Sequence, residues 1–187
     1  MLKSLYKKPS VTTIKGRSSS ITNAFVNGII PSIVPTEDEI REVLSVLGMD
    51  ENTICCAYCG DKMTEWDHFR PIIINQRATG YISEIANQVP SCGKCNQSKR
   101  NAHWKTWMLS GAEKSPASRN IKDLDIRIKR LEDFESRFSP TKIDIEEIVG
   151  KELYDRYWTL WEELLDKMQE AQKLSDELKT ILQKAEK

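Results

Sequence analysis

Ile40, Val43, Leu44 and Leu47 recur at helical spacing between the run Pro35-Thr36-Glu37-Asp38-Glu39 and Gly48, so an amphipathic helix is predicted over 37–47. Thr36 stands three residues before Glu39, the spacing at which hydroxyl and carboxylate each satisfy an open backbone N–H of the first turn. Gly48 supplies the left-handed residue that ends such a helix. From Ile54 to about Val89 the chain changes character: 69–74 and 80–85 are β-prone pieces between turn residues, predicting a few short strands. Helical spacing returns near Asn96 and runs through Trp104 and Trp107 to about Leu109. The two tryptophans, three apart, would bury one side of that helix against a β-hairpin. After a loop at 110–120, a second helix is expected over 121–138, broken by Ser139-Pro140.

The last segment differs in kind. Leu153, Tyr157, Leu160, Leu164, Lys167, Ala171, Leu174, Leu178, Ile181 and Ala185 alternate at spacings of four and three, an unbroken heptad seam with Lys167 as its polar member. A helix over 151–186 would be about 54 Å long at roughly 1.5 Å per residue. Such a length predicts a helical partner along much of it. The shorter 121–138 helix of the same chain is one candidate; a second copy, giving a coiled-coil homodimer, suits the length of the seam better.

The balance of charge adds little as a sum, 28 bases against 28 acids in 187 residues, but more as a distribution. Residues 1–36 carry Lys3, Lys7, Lys8, Lys15 and Arg17 and no acid, while 140–187 hold eight bases and twelve acids. The basic end, with no sustained periodicity over its first 20 residues, reads as an arm that could face a polyanion, with Lys15 and Arg17 as contact residues. Hydrophobic residues at 39% and charged residues at 30% suit a globular domain rather than a disordered chain. No apolar stretch approaches the roughly 18 to 20 residues that span a bilayer, and no apolar signal core follows the first lysines. A cytoplasmic protein with no membrane association is expected.

Reducing conditions bear on the five cysteines. Four form two pairs of equal spacing, Cys56-x2-Cys59 and Cys92-x2-Cys95. Two tight turns of this kind present four thiolates, the soft tetrahedral set that Zn²⁺ prefers, where a disulfide is disfavoured. The 32 residues between the pairs exceed the span of a compact zinc ribbon. Something is inserted between the halves of the site, and Cys55 is left over. The insertion contains Thr64-Glu65-Trp66-Asp67-His68-Phe69-Arg70-Pro71, with one of the chain's two histidines, and Cys95 is followed by Asn96-Gln97-Ser98-Lys99-Arg100-Asn101.

The order CxxC, Asp-His, Pro, Asn, CxxC-Asn, Lys resembles the HNH nuclease family, the zinc-bound branch of the ββα-metal endonucleases, over about residues 54–107. The resemblance implies an α+β fold: a small ββα-metal core with a four-cysteine structural zinc, flanked by helices and the long C-terminal heptad helix. It implies His68 as general base, Asp67 and Asn96 as ligands of a catalytic divalent ion, and Asn87 as the middle Asn that braces the loop carrying the histidine. The motif ends in Asn96 rather than His, a variant the family also uses, and Lys99 matches the basic position one helical turn later. The chemistry agrees. Hydrolysing a phosphodiester requires an activated water, for which a side chain titrating near neutrality is suited. It also requires neutralising charge on the phosphoryl oxygens, which Mg²⁺ or Mn²⁺ held by a carboxylate and an amide oxygen supplies.

The expectation is therefore a metal-dependent endonuclease acting on double-stranded DNA, of restriction or anti-phage type, with a basic arm at 1–35, the nuclease core with its preceding helix at 36–110, a helical linker at 111–150 and a dimerisation helix at 151–187. Lys99, Arg100, Arg70 and Arg77 are expected at phosphates or in the loops that read bases. The alternative is a non-catalytic zinc-stabilised module that binds nucleic acid or a partner protein.

Overall fold

In a computed structural model of the chain, which describes residues 5–7 and 11–185, helices predominate around two small antiparallel sheets. Two compact units are separated by contact, one formed by residues 1–27 and 146–187 and the other by 28–145. These boundaries differ from the four segments expected: 28–35 and 111–145 both belong to the unit that holds the cysteines. Lys3, Lys8 and the expected helix end at 186 lie outside the described residues.

The cysteine-bearing unit begins its regular structure with α2 (Glu37–Val46), after α1 (Ser18–Ile29). Thr36 and Glu39 form the expected capping box, the Thr36 Oγ1 accepting from Glu39 N at 3.3 Å and Glu39 Oε2 accepting from Thr36 N at 2.7 Å. Gly48, at φ +67°, closes the helix as Met49 N reaches back to Leu44 O at 2.8 Å. β1 (Glu65–His68) pairs antiparallel with β4 (Gln88–Ser91), Asp67 standing opposite Val89 and His68 opposite Gln88. Between them β2 (Ile73–Ile74) and β3 (Arg77–Ala78) form a hairpin closed by Asn75 and Gln76, both at positive φ (51° and 63°), the geometry that matches the right-handed twist of the flanking strands.

The strands expected at 69–74 and 80–85 are thus displaced. The Asp-His pair itself is in the longer sheet, and 80–84 makes only isolated bridges, Ser83 to Ser32 and Tyr81 to Lys142. The helix expected from Asn96 to Leu109 is two: α3 (Gly93–Lys99) and α4 (Trp104–Met108). Arg100 breaks them apart at φ +51°. α5 (Leu124–Arg137) supplies Leu131 and Phe134 to the core of this unit, where Phe69 packs on Trp104 and Phe134 at ring separations of 5.4 and 5.1 Å. Trp107 meets Tyr58 edge-on at 5.2 Å and donates to Ser98 Oγ of α3 at 3.0 Å. All four paired cysteines lie in that same core.

In the other unit, residues 15–27 are helical where an arm was expected: a 3₁₀ turn at Lys15–Arg17 runs into α1. Its partner is α7 (Lys151–Ala185), which follows the short α6 (Ile145–Val149). The contacts run antiparallel. Tyr157 donates to Phe25 O (2.9 Å), Trp161 Nε1 to Thr22 Oγ1 (3.2 Å), and Gln172 Oε1 accepts from Ile14 N (2.6 Å). Along α7 the residues removed from solvent are Tyr154, Tyr157, Trp158, Trp161, Leu165, Met168 and Gln172, of which all but Tyr157 form a heptad stripe one register from the predicted seam. The predicted seam is left exposed at Leu153, Leu160, Leu164, Leu174, Leu178 and Ile181. The apolar face of α5 is spent in the core of its own unit. No helix among the described residues is long and apolar enough to cross a membrane.

Candidate functional site

The first cysteine pair is set by a tight turn in which Gly60 N donates to Cys56 O at 2.8 Å. Gly60 takes φ +79°, a backbone conformation that favours glycine, and a Cβ there would fall 2.4 Å from Arg127 Nη2. The second pair straddles the start of α3: Cys95 N and Asn96 N both donate to Cys92 O, at 3.0 and 3.1 Å. The four sulfurs lie within 4.8 Å of one another, all buried. Cys59 and Cys92 Sγ are 3.7 Å apart, close to the edge of a tetrahedron with metal–sulfur bonds of about 2.3 Å and far from the roughly 2.05 Å of a disulfide. These residues fit a metal ion such as zinc.

Without a cation Cys56, Cys59 and Cys95 compete for protons. Hydrogen bonding with Cys59 pushes the Cys56 thiol up to about 12, while the thiols of Cys56 and Cys95 donating to Cys59 hold that sulfur well below its usual range. Four thiolates at this separation need a divalent ion to coexist. Positive groups stand around them: Arg119 Nη1 is 3.5 Å from Cys95 Sγ with its Nη2 on Asp61 at 2.8 Å, and Arg127, paired with Asp123 at 2.7 Å, donates to Cys56 O at 3.1 Å.

Each half of this cluster reaches the Asp-His strand. Tyr58, between the first two cysteines, donates its hydroxyl to Asp67 Oδ2 at 2.6 Å. Lys99, four residues after Cys95, places Nζ 3.1 Å from the same oxygen and 3.4 Å from Oδ1, and donates further to His68 O at 3.0 Å and Arg100 O at 3.3 Å. Asp67 and Lys99 are only 4% and 1% exposed. Lys99, expected at a phosphate, is instead the buried counter-ion of Asp67. Burial pushes the Asp67 carboxyl above its usual range against the opposing pull of Lys99 and Tyr58. Burial and, secondarily, the Lys99 charge hold the His68 imidazole below its usual value, keeping it neutral at pH 7.

His68 is half-buried, and its Nε2 is 2.8 Å from Ser83 Oγ. Asn87, fully buried, accepts from Arg70 N at 2.8 Å and donates to Arg70 O and Ile82 O, both at 3.2 Å. It thereby staples the segment after His68 to the segment before Ser83. Asn96 is half-buried on α3, one turn before Lys99 and so on the same helix face; the N-cap of α3 is Cys92, so Asn96 does not cap it.

The expected nucleic-acid contacts belong to both units. Arg70 is ion-paired with Glu135, which also accepts from Trp104 Nε1 at 3.3 Å, and its guanidinium lies 5.9 Å from the Phe69 ring centre. Arg77 is on β3 with Nη1 3.3 Å from Gln76 O. Arg100 is exposed in the break after α3, and Lys15 and Arg17 are exposed in the 3₁₀ turn of the other unit. His103 stacks on Trp104 at 5.9 Å, a packing role.

Among the described residues, the four cysteines are the only convergent set of three or more His, Cys, Asp or Glu side chains. For Mg²⁺ or Mn²⁺ the one carboxylate of the motif, Asp67, is already shared between an ammonium and a phenol, so the oxygen donors as arranged do not fit a hard divalent ion. Sequence reasoning missed Tyr58, Ser83 and Arg119. Tyr58 was legible inside the first cysteine pair as a residue that must sit beside the site; Ser83 and Arg119 carry no local pattern and arrive through long-range contacts. Comparisons with protein-family models, with curated proteins and with solved structures found no match to this chain.

Proposed function

We propose that the chain is a zinc-stabilised endonuclease of the HNH type that hydrolyses phosphodiester bonds in double-stranded DNA, with restriction or anti-phage cleavage as its setting. One arrangement supports the reading. Two antiparallel strands, β1 and β4, lead directly into α3 between two cysteine pairs, with His68 ending the first strand and Asn96 on the helix. Cys56, Cys59, Cys92 and Cys95 would hold Zn²⁺, which when bound ties the turn before β1 to the start of α3. His68, neutral at pH 7, accepts the proton of the attacking water, and Asn87 holds the backbone that follows it. No step is assigned to a divalent ion at Asp67, whose buried pairing with Lys99 makes it a brace of the strand. The exposed seam of α7 supports a homodimer, which would present two nicking sites to the two strands.

The Asp67–Lys99 pairing also favours a second reading: a binding module that keeps the motif for stability alone. Plasmid incubation with zinc-loaded protein and with His68→Ala, under Mg²⁺, Mn²⁺ or chelator, separates the two. The nuclease reading expects nicking or cutting that His68→Ala abolishes while DNA binding and zinc content persist. Absence of cleavage of any DNA under any ion, with zinc present, rejects it.

A further inference from the structure

We propose that Ser83 is a positioning residue that fixes the His68 ring as its Nε2–H tautomer, leaving Nδ1 as the atom that takes a proton. The inference deepens the nuclease reading and rests on it for its catalytic meaning, but its physical content is the state of the ring. Ser83 Oγ and His68 Nε2 are 2.8 Å apart. His68 Nδ1 has no side-chain or backbone partner among the described residues, so it is the ring nitrogen left for water. To take a proton from that water Nδ1 must be the unprotonated nitrogen, which puts the ring hydrogen on Nε2, donating to Ser83 Oγ.

Two backbone hydrogen bonds hold Ser83, and its neighbours Gly80 and Ile82 are tied in turn. Ser83 N donates to Pro31 O at 3.0 Å and Ser83 O accepts from Ile33 N at 2.8 Å, pinning the residue to the 31–33 segment. Just ahead of it, Gly80 O accepts from Ile143 N at 3.0 Å; Gly80 takes φ +88°, and a Cβ there would meet Ile143 O at 2.2 Å. Asn87 then joins Ile82 O to both polar backbone groups of Arg70, fixing the Ser83 segment against the His68 segment at their closest approach. Lys99 holds His68 from the other end of the residue through its carbonyl oxygen.

In the reaction an O–H bond of water breaks as Nδ1–H forms. The hydroxide adds to phosphorus, the bond from phosphorus to the leaving oxygen breaks, and that oxygen takes a proton from solvent. The imidazolium keeps its Nε2–H on Ser83 and afterwards releases the Nδ1 proton. A ring free to flip, or protonated at Nδ1, would present the wrong atom to water.

The test is the ¹⁵N spectrum of the His68 ring in zinc-loaded full-length protein at a pH where the ring is neutral, for the wild type, Ser83→Ala and Ser83→Thr. His68→Gln supplies the assignment against His103. The expected result is a pure Nε2–H pattern in the wild type, mixed tautomers in Ser83→Ala and return of the wild-type pattern in Ser83→Thr. Plasmid cleavage by Ser83→Ala should fall roughly tenfold and recover in Ser83→Thr. An Nδ1–H ring in the wild type overturns the inference without any variant, as does a Ser83→Ala spectrum identical to wild type. Failure of all cleavage with the expected spectra rejects the nuclease reading and leaves Ser83 as the determinant of the tautomer.

Discussion

Lys99 Nζ lies 3.1 Å from Asp67 Oδ2 inside the protein, with side-chain exposures of 1% and 5%. The ammonium has as many acceptors as it has hydrogens to give: the Asp67 carboxylate and the carbonyls of His68 and Arg100. A buried pair so completely bonded is tolerated, whereas one partner alone is not. Lys99→Met is therefore expected to destabilise the cysteine-bearing unit by about 3–5 kcal/mol, and Asp67→Leu combined with Lys99→Met by less than the sum of the two single changes. Urea unfolding of the zinc-loaded proteins measures both. Additive losses would show that the two groups act independently.

Removing the metal should unfold the unit built around it. Cys56, Cys59, Cys92 and Cys95 sit in the same core as Phe69, Trp104 and Phe134, and four buried thiols without their ion are a poor substitute for a metal centre. Purified protein is expected to carry about one zinc per chain, and Cys95→Ser to lose it. Chelation should erase the near-ultraviolet signal of Trp104 and Trp107, followed by circular dichroism. A chelated protein with an unchanged signal would contradict a structural role.

His68 makes stability fall on the acid side. Its folded value is depressed below the unfolded value of about 6.5, so between the two the unfolded chain binds more protons and stability rises with pH. The contribution is present in full above about pH 6.5 and is lost as pH falls through the depressed folded value. Compared with His68→Gln, the wild type should lose more stability between pH 7.5 and 5.5. Parallel profiles for the two proteins would show that the ring is not held neutral by its surroundings.

The two stripes of α7 predict opposite responses. Trp161 is buried and bonded to Thr22 within its own unit, so Trp161→Ala should cost about 3–5 kcal/mol there. Leu174 and Leu178 are more than half exposed, so changing both to Glu should leave chain stability within about 0.5 kcal/mol. Sedimentation should register the change instead: a dimer for the wild type and a monomer for Leu174→Glu/Leu178→Glu. A wild-type monomer rejects the homodimer.

What the sequence determined by itself was local. Thr36, Glu39 and Gly48 announced both ends of α2 because caps act over three or four residues. The two CxxC pairs announced a four-thiol cluster because each turn is local and cysteines seldom have another use in that spacing. The heptad of the last segment announced one continuous helix, since periodicity needs no partner to be legible. Tertiary structure decided that the packed face of α7 centres one position from the predicted seam: Tyr157 of that seam meets Phe25 of α1, but Trp158 and Trp161 are buried where Leu153 and Leu160 stay exposed. It likewise broke the helix after Lys99, whose ammonium caps its own last turn at Arg100 O while reaching Asp67. The same reach turned a surface base and a proposed metal ligand into a buried pair. Its two members are 32 residues apart in the chain, and each offsets the cost of burying the other's charge.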